Sequence, residues 1–272
     1  MKKLIGLATL FLVLVSFGAP ALAQDADMAK LSTLNSILDN KKLRVGLEAG
    51  YMPFEMRNKK GDIIGFDVDL ATEMAKAMGV ELELINTAWD GIIPALITKK
   101  FDILMSGMTI KAERNLRVNF VDPYIVVGQT ALVHKKHAGT ITSYEQLNDP
   151  KYTISVKLGT TGDFAVQKFM PKATRVAFED EQVCIQEVIQ GKADAHVYDM
   201  PQCATYNAKF PGKFIFLDEP FTYEPLGWAV RKGDPDFLNW LNNFLRQIKG
   251  DGTYDALYAK WFKSKDWLND LQ

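Results

Sequence analysis

The chain has 272 residues, enough for one large domain or two of medium size. Its 32 basic and 33 acidic residues give a formal net charge of −1, and 47% of its residues are hydrophobic. This balance does not indicate a basic surface, so we expect no nucleic-acid partner.

Residues 1–23 have the layout of a secretory signal peptide. Lys2 and Lys3 form a basic start, an apolar core runs from Leu4 to Phe17, and Ala21-Leu22-Ala23 matches a cleavage site. The apolar core is shorter than the roughly 20 residues of a membrane span, which disfavours the alternative of a membrane anchor. No cysteine adjoins the cleavage point, so a lipid anchor is not expected. We predict a soluble protein in the periplasm.

The next part of the chain alternates between strands and helices. Residues 24–41 are predicted to form a helical extension that is exposed and weakly anchored. Hydrophobic periodicity then predicts strands at 43–47, 81–85 and 101–105 and helices at 67–78 and 91–99. Alternation of this kind predicts an α/β fold with mostly parallel sheets, in which ligands lie beyond the carboxyl ends of strands.

The segment from Ser106 to Arg114 lies at such a strand end and carries the strongest functional signal. Ser106, Gly107 and Thr109 offer hydroxyl and backbone donors, and the Arg114 guanidinium matches a carboxylate in bidentate geometry. A lone Arg is more often a solvated charge on a helix. The other segments described below favour a carboxylate site instead.

A second unit repeats this arrangement. A strand at 152–156 leads into the turn from Lys157 to Gly162, where Thr160 and Thr161 precede a helix predicted at 163–170. Backbone donors at a helix N-terminus suit an anion. The turn lacks the ending of a Walker loop. An ordinary strand-to-helix turn remains the alternative.

Residues 94–106 and 186–198 share one pattern, in which a helix and a short basic turn precede an Asp and a strand. The second strand ends at Asp199, so we predict two related lobes that face each other across a cleft. One lobe offers a cation and the other an anion, and this pair is complementary to an α-amino acid. An Asp before a helix is also a common N-cap, and that alternative stays open.

The chain is predicted to cross between the lobes twice, after Tyr124 and again within 221–228. Lobe 1 then comprises residues 42–126 and 227–272, and lobe 2 comprises residues 127–226. Two crossings form a hinge, and we expect the cleft to close around its ligand. The amphipathic tail at 254–271 is assigned to packing.

The two cysteines, Cys184 and Cys203, lie in helical patterns that flank the strand at 195–198. They could form a disulfide in an oxidising compartment or remain as two buried thiols, and the sequence does not decide between these states.

Several motifs follow one another along the chain in an order that makes it resemble a known family. This family is the periplasmic solute-binding proteins of polar amino-acid ABC transporters (family 3), of the kind that bind glutamine, histidine or lysine/arginine/ornithine. The resemblance covers roughly residues 43–262 and rests on these segments: Tyr51-Met52-Pro53-Phe54-Glu55, Gly65-Phe66-Asp67-Val68-Asp69-Leu70, Trp89-Asp90-Gly91-Ile92-Ile93-Pro94-Ala95-Leu96, Gly107 to Arg114, Phe120-Val121-Asp122-Pro123-Tyr124, and Lys192-Ala193-Asp194-Ala195 with Asp199.

The resemblance implies a two-lobed fold and a role for each charged residue. Arg114 would bind the α-carboxylate of the ligand, assisted by Thr109 and by backbone near Gly107 and Thr161. Asp199 would bind the α-ammonium, with the Gly107 carbonyl as a second acceptor.

The remaining pocket residues concern the ligand side chain. Tyr51 and Trp89 would flank its aliphatic part, although core packing is the alternative for Trp89. Glu48 and Lys157 would present one acceptor and one donor at the far end of the pocket, which favours a glutamine-like ligand. A Glu48–Lys157 salt bridge that locks the closed lobes would give the same sequence pattern.

The resemblance implies the binding component of an ABC importer, a monomer that delivers its amino acid to permease subunits and needs no cofactor or metal. A periplasmic enzyme of the cyclohexadienyl dehydratase type is one alternative. It would need an acid or base over the substrate, and His134, His137 and His196 lie outside the recognisable site segments. A ligand-sensing domain is the other alternative, but such domains usually belong to longer chains with membrane spans.

Overall fold

A computed structural model describes residues 32–271. The predicted signal peptide and the start of the predicted extension lie outside these residues. The described part of the extension is the helix Thr33–Asn40, in which five of the eight residues are exposed, as predicted, but which is firmly rather than weakly anchored. Its Ile37 is buried in the core, and the Thr33 N–H donates to the Asp234 carboxylate at 2.5 Å. The correction arises because the apolar face of this helix packs against the helix Pro235–Gly250.

Two five-stranded sheets form the framework. The first has the order β4-β1-β5-β14-β6. Its strands are β1 (Lys42–Leu47), β4 (Glu81–Asn86), β5 (Ile103–Leu104), β6 (Asn119–Phe120) and β14 (Ala229–Val230). The second has the order β10-β9-β11-β8-β12. Its strands are β8 (Gln129–His134), β9 (Thr153–Lys157), β10 (Thr174–Phe178), β11 (Ala195–Asp199) and β12 (Phe214–Leu217).

In each sheet four of the five strands run in the same direction, as expected for the predicted mostly parallel sheets, and one strand is reversed. Strand β1 is parallel to β4 and β5, and β9 is parallel to β10 and β11. Strand β14 is antiparallel to β5 and β6, and β8 is antiparallel to β11 and β12. Strands β8 and β14 are the ones that follow a connection between the sheets. They enter from the carboxyl edge of the parallel strands and therefore run in the opposite direction.

The connections themselves form a short antiparallel ribbon of β7 (Ile125–Val127) and β13 (Glu224–Leu226). This ribbon also contacts the segment from Ser106 to Arg114, because Thr109 forms a bridge with Leu226 and the Ile110 N–H donates to the Pro225 carbonyl at 2.8 Å. The hinge and the predicted carboxylate site are therefore directly connected. The predicted lobe boundaries, after residues 126 and 226, fall within β7 and at the end of β13, and they stay a prediction.

The helices cover the faces of the sheets. Their bounds are Phe66–Met78, Trp89–Ile97, Ala112–Asn115, Thr161–Phe169, Glu181–Ile189, Met200–Lys209, Pro235–Gly250 and Thr253–Tyr258. A small hairpin pairs β2 (Met56–Arg57) with β3 (Ile63–Ile64), and 3-10 or π turns cover Lys135–His137, Tyr144–Leu147, Ala259–Lys263 and Asp266–Asp270. Across residues 32–271, no helix combines the length and apolar character that a membrane crossing requires.

Local sequence explains the helix Phe66–Met78. Asp67 and Asp69 lie in its first turn and Lys76 in its last, which suits the helix dipole, and Gly79 ends it in the left-handed conformation. In the tail, Trp261 and Trp267 are buried, in agreement with its assignment to packing.

The cysteines are free and buried. The Cys184 thiol donates to the Asp180 carbonyl at 3.4 Å, and the Cys203 thiol donates to the Tyr198 carbonyl at 3.6 Å. Burial raises the pKa of both thiols, which keeps them protonated. Of the two states left open by the sequence, the structure contains the buried thiols.

Candidate ligand-binding site

Arg114 lies in the one-turn helix Ala112–Asn115, where its guanidinium is half-buried. The guanidinium donates to the Thr109 carbonyl at 3.0 Å and lies over the Trp89 ring, 5.3 Å from its centre. Burial lowers the pKa of Arg114, and the negative charges of Glu224 and Asp199 partly offset this effect. Arg114 stays charged, since even a lowered Arg pKa is far above neutral. The side chain is therefore fixed in place with donors left for a carboxylate.

Asp199 ends β11 and stands immediately before the helix Met200–Lys209, but its carboxylate does not cap that helix. Instead, Oδ2 accepts from the Tyr51 hydroxyl and Oδ1 accepts from the Gln129 amide, each at 2.5 Å. Burial raises the pKa of Asp199 to about 7, although the Tyr51 hydrogen bond lowers it. The N-cap alternative is thus not observed, and the carboxylate faces the cleft.

Tyr51 and Gly107 pack against each other. The Tyr51 ring is stacked on Phe54 with ring centres 4.5 Å apart and meets Tyr198 edge-on at 5.5 Å. Gly107 has φ of +52°, and a Cβ atom there would lie 2.1 Å from Cε1 of Tyr51. Only glycine fits this turn without displacing the ring.

Trp89 joins the two lobes rather than packing only in the core. Its indole N–H donates to the Gly159 carbonyl at 3.3 Å, and its backbone N–H donates to Oε1 of Glu48 at 3.3 Å. The other Glu48 oxygen forms a salt bridge with the ammonium of Lys157, which is almost fully buried. The structure therefore contains the interlobe salt bridge that the sequence left as an alternative.

The turn before the helix Thr161–Phe169 is partly used by its own side chains. The Thr160 hydroxyl caps the helix by accepting from the Asp163 N–H at 3.4 Å, and Asp163 accepts from the Gly159 N–H at 3.1 Å. The Thr161 hydroxyl accepts from the Gln129 amide at 3.1 Å and lies 3.4 Å from the Thr109 hydroxyl. The Thr161 side chain thus meets the opposite lobe, as that of Lys157 does through its salt bridge with Glu48.

Two predicted donors are already engaged. The Ser106 hydroxyl donates to Glu55 at 2.6 Å and accepts from the Glu48 N–H at 3.0 Å. The Gly107 N–H donates to Asp67 at 3.0 Å. The hydroxyl of Ser106 is turned towards the buried Glu55, which favours a supporting role, and the prediction that Ser106 contacts the ligand stays a prediction. For Gly107, the carbonyl remains as the group that could face a ligand.

Seven of the eleven predicted residues, from both lobes, meet around one cavity, whereas Glu48, Tyr51, Ser106 and Lys157 are not among the residues that line it. It is lined by Trp89, Gly107, Thr109, Arg114, Thr160, Thr161, Tyr198 and Asp199. Its volume of about 10 Å³ matches the space that a single water molecule needs. An amino acid is several times larger, so its entry requires the lobes to separate.

Sequence reasoning missed two residues of this site. Gln129 is buried at the start of β8 and holds both Asp199 and Thr161, and Tyr198 lines the cavity. Gln129 begins the strand that contains the apolar run Ala131-Leu132-Val133, and an amide at that position could have been noticed. Within the part of the chain that the structure describes, no group of three or more His, Cys, Asp or Glu side chains is arranged to hold a metal ion.

Comparison with known proteins agrees with this geometry. The sequence profile of the bacterial extracellular solute-binding proteins, family 3, matches residues 43–264. A probable histidine-binding protein of Neisseria gonorrhoeae is 38% identical over 230 residues, which cover 82% of this chain and 83% of that protein. The chain therefore belongs to family 3 of the bacterial extracellular solute-binding proteins.

Solved structures give the same result. A putative binding component of an ABC transporter from Wolinella succinogenes, complexed with lysine, is 55% identical with a TM-score of 0.82, covering 84% of this chain and 99% of that one. An ancestral amino-acid-binding protein, described as a precursor of cyclohexadienyl dehydratase, is 53% identical with a TM-score of 0.81, covering 85% of this chain and 100% of that one. The fold is that of two-lobed amino-acid-binding proteins, and the protein is the amino-acid-binding component of an ABC importer.

Proposed function

We propose that this importer component captures an L-amino acid with a cationic side chain, with lysine as the first candidate. The observation that carries the proposal is that Arg114 and Asp199, which have opposite charges, line one cavity between the lobes. An α-amino acid carries a carboxylate and an ammonium on one carbon. Arg114 would bind the carboxylate with the Thr109 and Thr161 hydroxyls nearby, and Asp199 would bind the ammonium with the Gly107 carbonyl.

Glu48 supports the cationic side chain. Its carboxylate already accepts from an alkylammonium group, that of Lys157. A lysine ligand presents the same chemical group, and Trp89 and Tyr51 would flank its aliphatic chain. The relative of 55% identity was solved with lysine.

Glutamine is the second candidate. The sequence favoured a glutamine-like ligand because Lys157 would donate to its amide. In the structure that donor is paired with Glu48, and an amide would have to compete with a full charge. A lysine ligand would likewise have to displace Lys157 from Glu48, so the glutamine prediction, which stays untested, ranks second because the relative of 55% identity was solved with lysine.

Binding without turnover is part of the proposal. His134, His137 and His196 are not among the residues that line the cavity. A dehydratase would consume prephenate or arogenate, and we expect no turnover of either. We also propose export to the periplasm after signal-peptide cleavage, action as a monomer, and delivery to permease subunits after the hinge closes.

The experiment is titration calorimetry on protein that has been unfolded, stripped of ligand and refolded. L-lysine, L-arginine, L-histidine and L-glutamine are compared. A ligand at 100 times its Kd should also stabilise the fold by about 2.7 kcal/mol. If none of these four amino acids binds, the proposed function is contradicted.

Two variants test the side-chain assignment. Glu48→Gln should weaken lysine binding far more than glutamine binding, while the exposed control Glu219→Gln should change neither. Tighter binding of glutamine than of lysine by the unaltered protein would overturn the cationic assignment but leave amino-acid capture intact.

A further inference from the structure

Behind the ligand cavity lies a pair of acids that no ligand contact explains. Glu55 and Asp67 are both 0% exposed. Glu55 follows the turn at residues 52–54, and Asp67 lies in the first turn of the helix Phe66–Met78. Carboxyl groups with no solvent contact need internal hydrogen bonds, so the partners of each oxygen are informative.

One oxygen of each acid accepts a hydrogen bond from Ser106 or Gly107. Oε1 of Glu55 accepts from the Ser106 hydroxyl at 2.6 Å. Oδ2 of Asp67 accepts from the Gly107 N–H and from the Tyr124 hydroxyl, both at 3.0 Å. The two acids thus hold Ser106 and Gly107, two consecutive residues of the segment that follows β5.

The second oxygen of each acid is left without a donor by these bonds. Among the described residues, Oε2 of Glu55 and Oδ1 of Asp67 accept from no donor, and a side-chain hydrogen bond from Glu55 lowers the pKa of Asp67. Two ionised carboxylates only accept, so such a bond requires one proton. With that proton on Glu55, each of the four oxygens has a partner.

The charged surroundings favour this assignment. Burial raises the pKa of Glu55 well above its usual value, and the charges of Asp67 and Glu48 raise it further, against the Ser106 hydrogen bond and the charge of Lys157. Burial raises the pKa of Asp67 to about 7, while hydrogen bonds from Gly107 and Tyr124 lower it. Glu55 is therefore the neutral donor and Asp67 the anion.

This pair is connected to the candidate ligand groups. The Ser106 hydroxyl that donates to Glu55 also accepts from the Glu48 N–H at 3.0 Å, and Gly107 carries the carbonyl assigned to the ligand ammonium. We propose that Glu55 and Asp67 share one proton and act as positioning residues that fix the Ser106–Gly107 turn, and through it Glu48, for ligand capture. The link to capture rests on the proposed function.

Infrared spectroscopy tests the shared proton without any ligand. At neutral pH and in an Asp199→Asn background, which removes the other buried carboxyl group that titrates near pH 7, the protein should show the C=O stretch of a buried protonated carboxylic acid, and adding Glu55→Gln should remove it. Gln reproduces the protonated Glu, because its carbonyl accepts from Ser106 and its amide donates to Asp67. If the band is missing from Asp199→Asn, the shared proton is ruled out even where the unaltered protein binds amino acids.

Calorimetry with L-lysine at neutral pH tests the positioning role. Glu55→Gln should keep the Kd within about two-fold, whereas Glu55→Met, which removes the acceptor of the Ser106 hydroxyl and the donor to Asp67, should weaken it about ten-fold. Equal losses in both variants would mean that Glu55 is ionised and would overturn the proposal.

A double-mutant cycle separates positioning from general stability. In a Ser106→Ala background, Glu55→Met should cost little additional affinity, because the connection to Glu48 is already broken. Additive losses would show that Glu55 acts on the fold alone. If Glu55→Met fails to fold, the comparison of Glu55→Gln with Ser106→Ala still decides: Glu55→Gln should retain affinity and Ser106→Ala should lose it.

Discussion

The Tyr51 hydroxyl and the Asp199 carboxylate lie 2.5 Å apart, although 148 residues separate them along the chain. The bond joins the two lobes at the position assigned to the ligand ammonium. It also makes Tyr51 part of the electrostatics of Asp199, because a donated hydrogen bond stabilises the ionised carboxylate.

Tyr51→Phe should therefore raise the pKa of Asp199, because it removes a hydrogen bond that lowers this pKa. The pH at which ligand affinity is half-lost should move upwards, measured by calorimetry at several pH values. Tyr223→Phe, at a side chain that is 74% exposed, is the control and should leave the profile in place. If the pH dependence of ligand affinity is unchanged in Tyr51→Phe, Asp199 is not the group whose titration controls binding.

Ligand affinity should fall as the pH drops through 7. The free protein has an Asp199 pKa of about 7, and a bound ammonium favours the ionised form, so binding releases a proton below this pH. Affinity at pH 6 should be roughly ten-fold weaker than at pH 8. Asp199→Asn should bind weakly and lose most of this dependence, whereas the exposed control Asp236→Asn should keep it.

The same shift has the opposite sign for the stability of the ligand-free protein. The pKa of Asp199 is raised from 3.8 to about 7, so the folded state binds a proton more tightly than the unfolded chain does. Asp199 therefore favours folding most at low pH, and this contribution is lost as the pH rises from about 4 to about 7. Comparing the denaturation midpoints of the unaltered protein and Asp199→Asn across this range measures the effect.

Arg114→Ala should cost about 3 kcal/mol of ligand binding, or roughly 150-fold in Kd, because it leaves the ligand carboxylate unpaired in the cleft. Arg114→Lys should recover only part of this loss, since an ammonium lacks the planar pair of donors. Arg117→Ala, three residues away and exposed, is the matched control. Near-native affinity of Arg114→Ala would show that the carboxylate binds elsewhere.

Gly107→Ala should reduce both stability and ligand affinity. The positive φ alone costs about 1–2 kcal/mol for a residue with a Cβ. The Cβ would also displace Tyr51, which lies 2.1 Å from its position. Gly250→Ala provides the control, since no atom lies within 4 Å of its added Cβ. A thermal melt and a lysine titration of both variants check the difference, and equal melting temperatures would refute the packing argument.

The sequence predicted most of the fold because periodicity is a local property. The predicted helix at 67–78 is observed as Phe66–Met78, and the predicted strand at 152–156 is observed as Thr153–Lys157. The direction of β8 and β14 could not be read in the same way. Strand direction depends on which sheet edge the chain enters, and periodicity carries no information about that.

The candidate site, too, could be predicted from the sequence only in part. Arg114 and Asp199 were predictable because a charge at a strand end is visible in the sequence. The engagement of Ser106 with Glu55 was not, since it depends on a contact between residues 51 positions apart. The choice between a free Lys157 and one paired with Glu48 likewise needed the relative placement of the two lobes.

The indole of Trp89 spans the cleft, with its ring under Arg114 and its N–H on the Gly159 carbonyl. Separation of the lobes must break that hydrogen bond and change the polarity around the ring. Of the chain's five tryptophans, Trp228, Trp261 and Trp267 are buried away from the cavity lining, and Trp240 lies on the helix Pro235–Gly250. The molecule thus carries an intrinsic fluorophore at its moving interface, so its own emission can report lobe closure without an attached dye.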